Sequence, residues 1–501
     1  MKLIKRWAAF LAACCLVFCA FSLGVAADGV AVTAPTEVWN GSIAEAFEGG
    51  SGTEADPYLI RTGAQLALLA KNVNETVTDY KDVYFKLIND IDLASVQWTA
   101  IGVGKSTPFR GHFDGNGKTI FNMMCVPVDP NDASNYINGG LFGRIEEVEI
   151  KNVTVSGGSV ESTKYAGGVV GFMQGGLVYN CHSKLEKVTG AQAGGVVGRA
   201  EKGTDNRIEG CFNWSAVETI DTTNAFAGGI IGAAGNTTIK YCCNYGDVTA
   251  NAAKTYSTAG GIVGIQGASS ATVYIDNCMS SGTITAILGA KNGVGAGGIT
   301  GKAAHVNFGS ITNCFTTGKV VCEDAALAGG VAGVCGSIVE TDNLYTTIEP
   351  ACGTDKDMMF ENVTKITDAQ MRGKNAASLM GLNRAWSAAD GELPAPDVEL
   401  IEAVEKEEQE KPEPEPTTTS STTEKPTEPE VAASTPAATS EVTKESDVTT
   451  SEVKEPATSG STSDNVSDED TRNNMPLIII LSVLIVLNGA AIAVVAIKVK
   501  K

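Results

Sequence analysis

Histidine is nearly absent from this chain of 501 residues, which holds only His112, His182 and His305. No His-Glu-x-x-His run exists, which excludes the usual zinc-peptidase helix, and no Gly-x-Ser-x-Gly elbow presents a hydrolase serine. The 13 cysteines include no Cys-x-x-Cys pair, so the common zinc and redox spacings are missing. Positive charge is also short, with 37 Lys and Arg against 58 Asp and Glu and a net charge of −21. No basic face is visible, which argues against a nucleic-acid partner. Gly293 to Gly298 spells Gly-x-Gly-x-x-Gly, but no helix is expected after it. Gly104-Lys105-Ser106 and Gly117-Lys118-Thr119 lack the earlier glycine of a phosphate loop, whose places hold Thr99 and His112. No residue is assigned a catalytic, cofactor-binding or metal role, and no cofactor is implied. The chain is read as a non-enzyme.

Glycine, by contrast, is abundant at 56 residues. Much of it falls in a phrase that returns seven times, first as Gly139-Gly140-Leu141-Phe142-Gly143. It recurs at Ala166 to Gly171, Ala193 to Gly198, Ala227 to Gly232, Ala259 to Gly264, Ala296 to Gly301 and Ala328 to Gly333. The second glycines are 27 to 37 residues apart, a solenoid period. A second phrase alternates with the first and reads Ile311-Thr312-Asn313-Cys314 in its clearest copy. Its third position is Asn152, Asn180, Asn277, Asn313 or Asn343 in five copies and Gly210 in a sixth, while Tyr241 departs from the pattern. Asn and Gly tolerate positive φ, which predicts a left-handed corner between two strands. The β-branched residues around each corner favour short strands. Coils stacked about 4.8 Å apart would bury the recurring Ile, Val and Cys in one column. The fold class is therefore all-β, a parallel β-helix (β-solenoid) with short capping helices.

Cys181, Cys211, Cys242, Cys278 and Cys314 take one position of successive repeats, which Val153 and Leu344 take in the outer copies. A site that accepts Val, Leu or Cys is an apolar core site, so these thiols read as an inert buried ladder. The rung spacing also permits disulfides. Cys125, Cys243, Cys322, Cys335 and Cys352 lie off the ladder and are the better bridge candidates.

The repeated Gly-Gly-hydrophobic-hydrophobic-Gly phrase resembles the GLUG motif of bacterial cell-surface proteins, over residues 45–395. The block from Asp56-Pro57-Tyr58 through Asp90-Ile91-Asp92-Leu93 and Trp98 to Asp114-Gly115-Asn116-Gly117 resembles the segment that often precedes such repeats. The repeat also occurs in the non-catalytic part of some IgA-cleaving metallopeptidases. The resemblance implies a β-solenoid at a cell surface and names no site residue.

The remaining segments frame the repeats. Residues 1–27 read as a signal peptide, with Lys2, Lys5 and Arg6 before an apolar run and Val25-Ala26-Ala27 as the cleavage site. Leu11-Ala12-Ala13-Cys14 offers a rival lipobox. Residues 28–50 form a lead-in, and 51–138 form the N-terminal cap. There Thr62 and Gln65 make a capping box for a helix with Leu66, Leu69, Ala70 and Val73 on one face. Irregular strands are expected at Tyr84 to Leu87, Ile91 to Leu93, Thr99 to Ile101 and Thr119 to Phe121. The repeats occupy 139–345. Residues 346–398 read as a closing C-terminal cap, with a second capping box at Thr367 and Gln370 opening a short helix and Trp386 in an apolar patch. Residues 399–475 read as a disordered Thr/Ser/Pro/Glu stalk, since 402–475 hold 19 acids and 6 bases and almost no aromatics. Fully extended it would reach on the order of 200 Å. Residues 476–497 are long and apolar enough for a transmembrane helix, and the lysines of 498–501 would stay in the cytoplasm.

This layout predicts a membrane-anchored protein of a bacterial surface, of Gram-positive type, with an extracellular head. Its partner would be an extracellular host protein or glycan, bound through the stacked faces. The alternatives are a polysaccharide-active β-helix enzyme and a purely structural envelope protein. For the enzyme, Asp90 and Asp92 lie two apart and so share one face of a strand, with Asp114 nearby. Such carboxylates would bind calcium or act as acid and base, unless all three simply shape turns.

Overall fold

The structure is a computed structural model that describes residues 38–126, 138–201, 203–220, 222–266, 271–287, 293–303, 309–324, 327–335, 340–353 and 362–410. The expected signal peptide, most of the stalk and the transmembrane run lie outside the described residues. Among the described residues no helix is long and apolar enough to cross a membrane.

The described chain winds into a parallel β-solenoid of about eight coils. One coil shows the plan: Asn206–Glu209, a corner at Gly210, then Phe212–Asn213, Ala216–Thr219, Thr222–Gly228 and Ile231–Ala234. Each segment pairs in parallel with its counterpart one coil on, as Ile208 with Ile239, Phe212 with Cys243, Ala227 with Ala259 and Ile231 with Val263. Alternation along each strand sends every second side chain inward. Phe113, Ile150, Val178, Ile208, Ile239, Ile275 and Ile311 thus form one buried column.

All seven corner residues have positive φ, from 49° at Asn180 to 61° at Gly210, Tyr241 among them at 52°. The asparagines also bond along the stack. Asn152 donates to Asp114 at 3.0 Å, Asn180 to Asn152 at 2.9 Å, and Asn343 to Asn313 at 2.9 Å. The five ladder cysteines follow directly and are buried thiols, and Val153 and Leu344 are buried at the same position in the outer copies. Cys211 Sγ donates to the Glu209 carbonyl at 3.3 Å, and Cys278 Sγ to that of Asp276 at 3.3 Å. Cys125, Cys243, Cys322, Cys335 and Cys352 are also buried thiols rather than the disulfides their off-ladder places suggested.

The repeated glycines have a reason that the sequence pattern does not reveal. Two residues after each ladder position but the first, where Val155 stands, is a small polar residue: Ser183, Asn213, Asn244, Ser280, Thr316 or Thr346. All six point inward and are buried. The second glycine of each phrase after the first faces this column across a narrow waist. A Cβ on Gly195 would lie 2.2 Å from Asn213 Cγ and 2.2 Å from the Gly229 carbonyl oxygen. Asn213 donates to Asn244 Oδ1 at 2.9 Å, and Ser183 and Ser215 hydroxyls meet at 2.8 Å. Close approach, not φ, demands glycine here.

At the N-terminal end, α1 (Gly63–Asn74) opens on the expected Thr62–Gln65 capping box. Leu66, Leu69, Ala70 and Val73 are buried, as are Ala67 and Leu68, so more than one face of the helix is covered. Thr99 to Ile101 forms no strand and contributes a single bridge from Ile101 to Phe142.

The C-terminal segment differs from the closing cap expected of it. Val363–Lys365 adds a last strand beside Leu344–Thr346. The Thr367–Gln370 hydrogen bonds then shape a turn, not a helix, and the short α2 is Ala376–Leu379. From there the chain runs back along the corners as a strap. Trp386 Nε1 donates to Asn277 Oδ1 at 3.2 Å, and its ring meets Phe315 edge-on at 5.4 Å. Asn383 donates to the Tyr241 hydroxyl at 2.9 Å. The last helix, α3 (Val398–Glu410), lies in residues whose acidity marked them as stalk, yet Ile401 and Val404 are buried. Val398 and Ile401 pack over Gly210. Both corners that lack Asn receive the strap, as the Asn277 corner does.

Labelling should leave Cys211, Cys242 and Cys278 unmodified until denaturation, because all three thiols are fully buried and out of reach of the reagent. A Cys211–Cys242 disulfide found by mass spectrometry would overturn this. Replacing Trp386 by Ala should weaken the strap by about 3–5 kcal/mol, read as faster hydrogen exchange over residues 376–404. Unchanged exchange there would contradict lateral docking.

Candidate functional site

The strands before the corners carry two outward columns. One begins with Tyr84 and His112, whose rings stack at 4.4 Å and 16°. The other runs Lys86, Asp114, Lys151, Tyr179, Glu209, Lys240 and Asp276, one residue per coil, with nearly alternating charge. Lys86 Nζ lies 3.9 Å from Asp114, Lys151 Nζ 2.7 Å from Glu149, and Arg207 Nε 2.9 Å from Glu209. A strand shifted by one coil would face like charges, so the column also secures the stacking order.

Two clefts open on this face. A cavity of about 340 Å³ is lined by Glu54, Tyr84, Lys86, His112, Asp114, Glu149 and Lys151. A second of about 260 Å³ lies between the strands and α3, lined by Tyr179, Arg207, Glu209, Ile401, Glu402 and Glu405. Glu149 and Lys151 border both, so the two clefts adjoin and together form a grooved face that crosses successive coils. The strap closes one side, where Lys240 Nζ meets Glu405 at 2.8 Å.

Burial opposes charge on Lys151, but its hydrogen bond to the Glu149 carboxylate and the nearby Asp114 carboxylate outweigh it and raise its pKa. Arg207 is raised in the same way by Glu209 against burial. Tyr179 is pushed up to about 12, by burial first and then by the carboxylates of Glu402 and Glu209. The groove floor therefore presents fixed cations, carboxylates and a protonated phenol at coil spacing. Such a surface suits a polymer with repeating hydroxyls and charges better than one small compact ligand.

The aspartates singled out in the sequence do not converge. Asp90 accepts the Thr119 backbone N–H at 2.8 Å. Asp92 accepts from Ala94 N at 2.7 Å and Asn122 Nδ2 at 2.9 Å. Asp114 accepts from Asn116 N at 2.8 Å and heads the asparagine ladder. All three hold turns, and only Asp114 borders the groove. Among the described residues no group of three His, Cys, Asp or Glu is placed to hold a metal. His305 lies outside the described residues. Sequence reasoning missed the groove because its residues are separated by whole coils. The signal would have been the outward position before each corner, read down the repeats.

No family model matches the chain. A stretch of 118 residues is 35% identical to a candidate Gly-rich membrane protein of Evansella cellulosilytica, covering 22% of this chain and 12% of that protein. Over 385 residues the chain is 25% identical to halomucin of Haloquadratum walsbyi, covering 68% of this chain and 4% of that protein. The chain therefore spans only a small part of either relative. Among solved structures, a candidate immunoglobulin A1 protease from Bacteroides ovatus superimposes with a TM-score of 0.51 at 24% identity, covering 70% of this chain and 95% of that one. This likeness is one of fold, and it agrees with the β-solenoid read from the repeats.

Replacing Asp92 by Ala should cost about 1–3 kcal/mol by leaving its turn donors unpaired. Thermal melts should show that loss with and without added calcium. A calcium-dependent rise in the melting temperature of the wild type, absent from the Asp90→Asn/Asp92→Asn double variant, would restore the metal reading.

Proposed function

We propose that the chain is a surface-displayed binding protein whose solenoid head takes an extracellular glycan or protein along the groove beside its corners. The observation that carries this reading is the groove itself, which crosses coils and repeats donors and acceptors at their spacing. The names of the two sequence relatives, a Gly-rich membrane protein and halomucin, support a place at the cell surface. In this reading the acidic stalk carries the head away from the membrane, and the apolar run from Leu477 to Ile497 is a single-pass anchor. The solenoid would act as a stiff platform and do no chemistry, since the aspartates offered for catalysis are bound into turns.

The full-length chain in detergent, applied to glycan and protein arrays and to a polysaccharide-degradation screen, tests this. Binding without turnover is expected, and the Lys86→Gln/Lys151→Gln variant should bind more weakly with its fold intact by circular dichroism. Turnover would put a polysaccharide-active enzyme in its place, and silence in both screens a structural envelope protein. Protease shaving of intact cells should release the head if it faces outward.

A further inference from the structure

The strands just after the corners carry a different outward surface. One column runs His182, Phe212, Cys243, Met279 and Phe315, and the strap buries the last three. Phe212 and Tyr245 are half-buried at the edge of the strap, and beyond them the face stays aromatic, with Trp214 exposed. His182 stacks on Phe212 at 4.8 Å, and Trp214 stacks on Tyr245 at 5.0 Å and 13°. Phe212 and Trp214 meet edge-on at 5.9 Å. Trp214 is 41% exposed, and Lys184 Nζ lies 4.6 Å from the centroid of its ring. Lys184 makes no ion pair among the described residues, whereas nearby Lys187 is held by Glu218 at 2.6 Å.

We propose that this shelf is a binding site for a uronate-bearing polysaccharide, a site separate from the groove that rests on the same reading of the head as a glycan binder. Charge decides the class of ligand. A lysine ammonium with no carboxylate paired to it among the described residues, beside the exposed Trp214 ring, asks locally for an anionic group. The rings decide that the anion sits on a sugar, because pyranose C–H faces pack on aromatic surface as other apolar groups do. Lys184 is the movable part. A cation resting on an exposed indole is held weakly, so its ammonium can swing to the sugar carboxylate and free Trp214 for the pyranose. Rungs about 4.8 Å apart would then meet successive sugars.

The test applies the full-length chain to immobilised polygalacturonate, its methyl ester, dextran and poly-glutamate. Polygalacturonate should be preferred. Trp214→Ala should weaken that binding roughly tenfold, and Lys184→Gln should abolish the preference for the free acid over the ester. Binding unchanged in both variants would overturn the shelf while leaving a glycan-binding head in place. Equal capture of poly-glutamate would overturn it as a reader of charge alone. A chain that bound no glycan at all would remove both the shelf and the reading it rests on.

Discussion

The left-handed residue at each corner is the constraint from which the other features follow. An ordinary residue in that conformation loses about 1–2 kcal/mol, and here the cost recurs in every coil. Asn and Gly lower it, and the asparagines also bond to one another along the stack. The corner turns the chain sharply, so the strands before and after it present two different outward faces. The groove lies on one face and the aromatic shelf on the other. The strap follows the ridge between them.

A second constraint holds the coil narrow. Because the second glycine of each phrase after the first meets a polar side chain across the waist, each of those coils must repeat both partners or open up. The buried Asn and Ser side chains bond to polar groups in their own coil and in the adjoining ones, and Thr346 to the Ile348 carbonyl, whereas the Thr316 hydroxyl meets no partner among the described residues. Burial is therefore tolerable only for a coil that has a like neighbour, which makes the stack cooperative between adjacent units. That is why the glycine phrase is so constant while its spacing varies by ten residues: insertions go to the loops, and the waist cannot change.

What could be read from the sequence was what each coil decides locally. Positive φ at Asn180 or Asn313, strands of Ile and Val, and the buried fate of Cys211 and Cys278 all depend on a residue and its repeat partners. The strap could not be read that way. Val398, Ile401 and Val404 keep helical spacing inside an acid-rich run, so composition assigned them to the stalk. Their docking site is written instead in Gly210 and Tyr241, which look like lapses in an asparagine pattern until Val398 and Asn383 are seen against them. The polar waist was open to view, two residues beyond each ladder cysteine, but an inward Ser or Asn has no meaning until the opposing glycine is placed.

The same logic separates scaffold from function in this molecule. Inward positions are fixed by stacking, so they repeat; outward positions meet only solvent, a neighbour or a ligand, so they are free to differ from coil to coil. The outward residues before the corners nonetheless alternate in charge, from Lys86 to Asp276, and most find a partner within the protein. Those after the corners are apolar, and the strap covers only part of them. A face that needed only to be insoluble in its own core would be covered to the end. Instead Trp214 and Lys184 stand where the strap stops, at the one place on this face where exposed apolar surface and an unpaired cation coincide among the described residues.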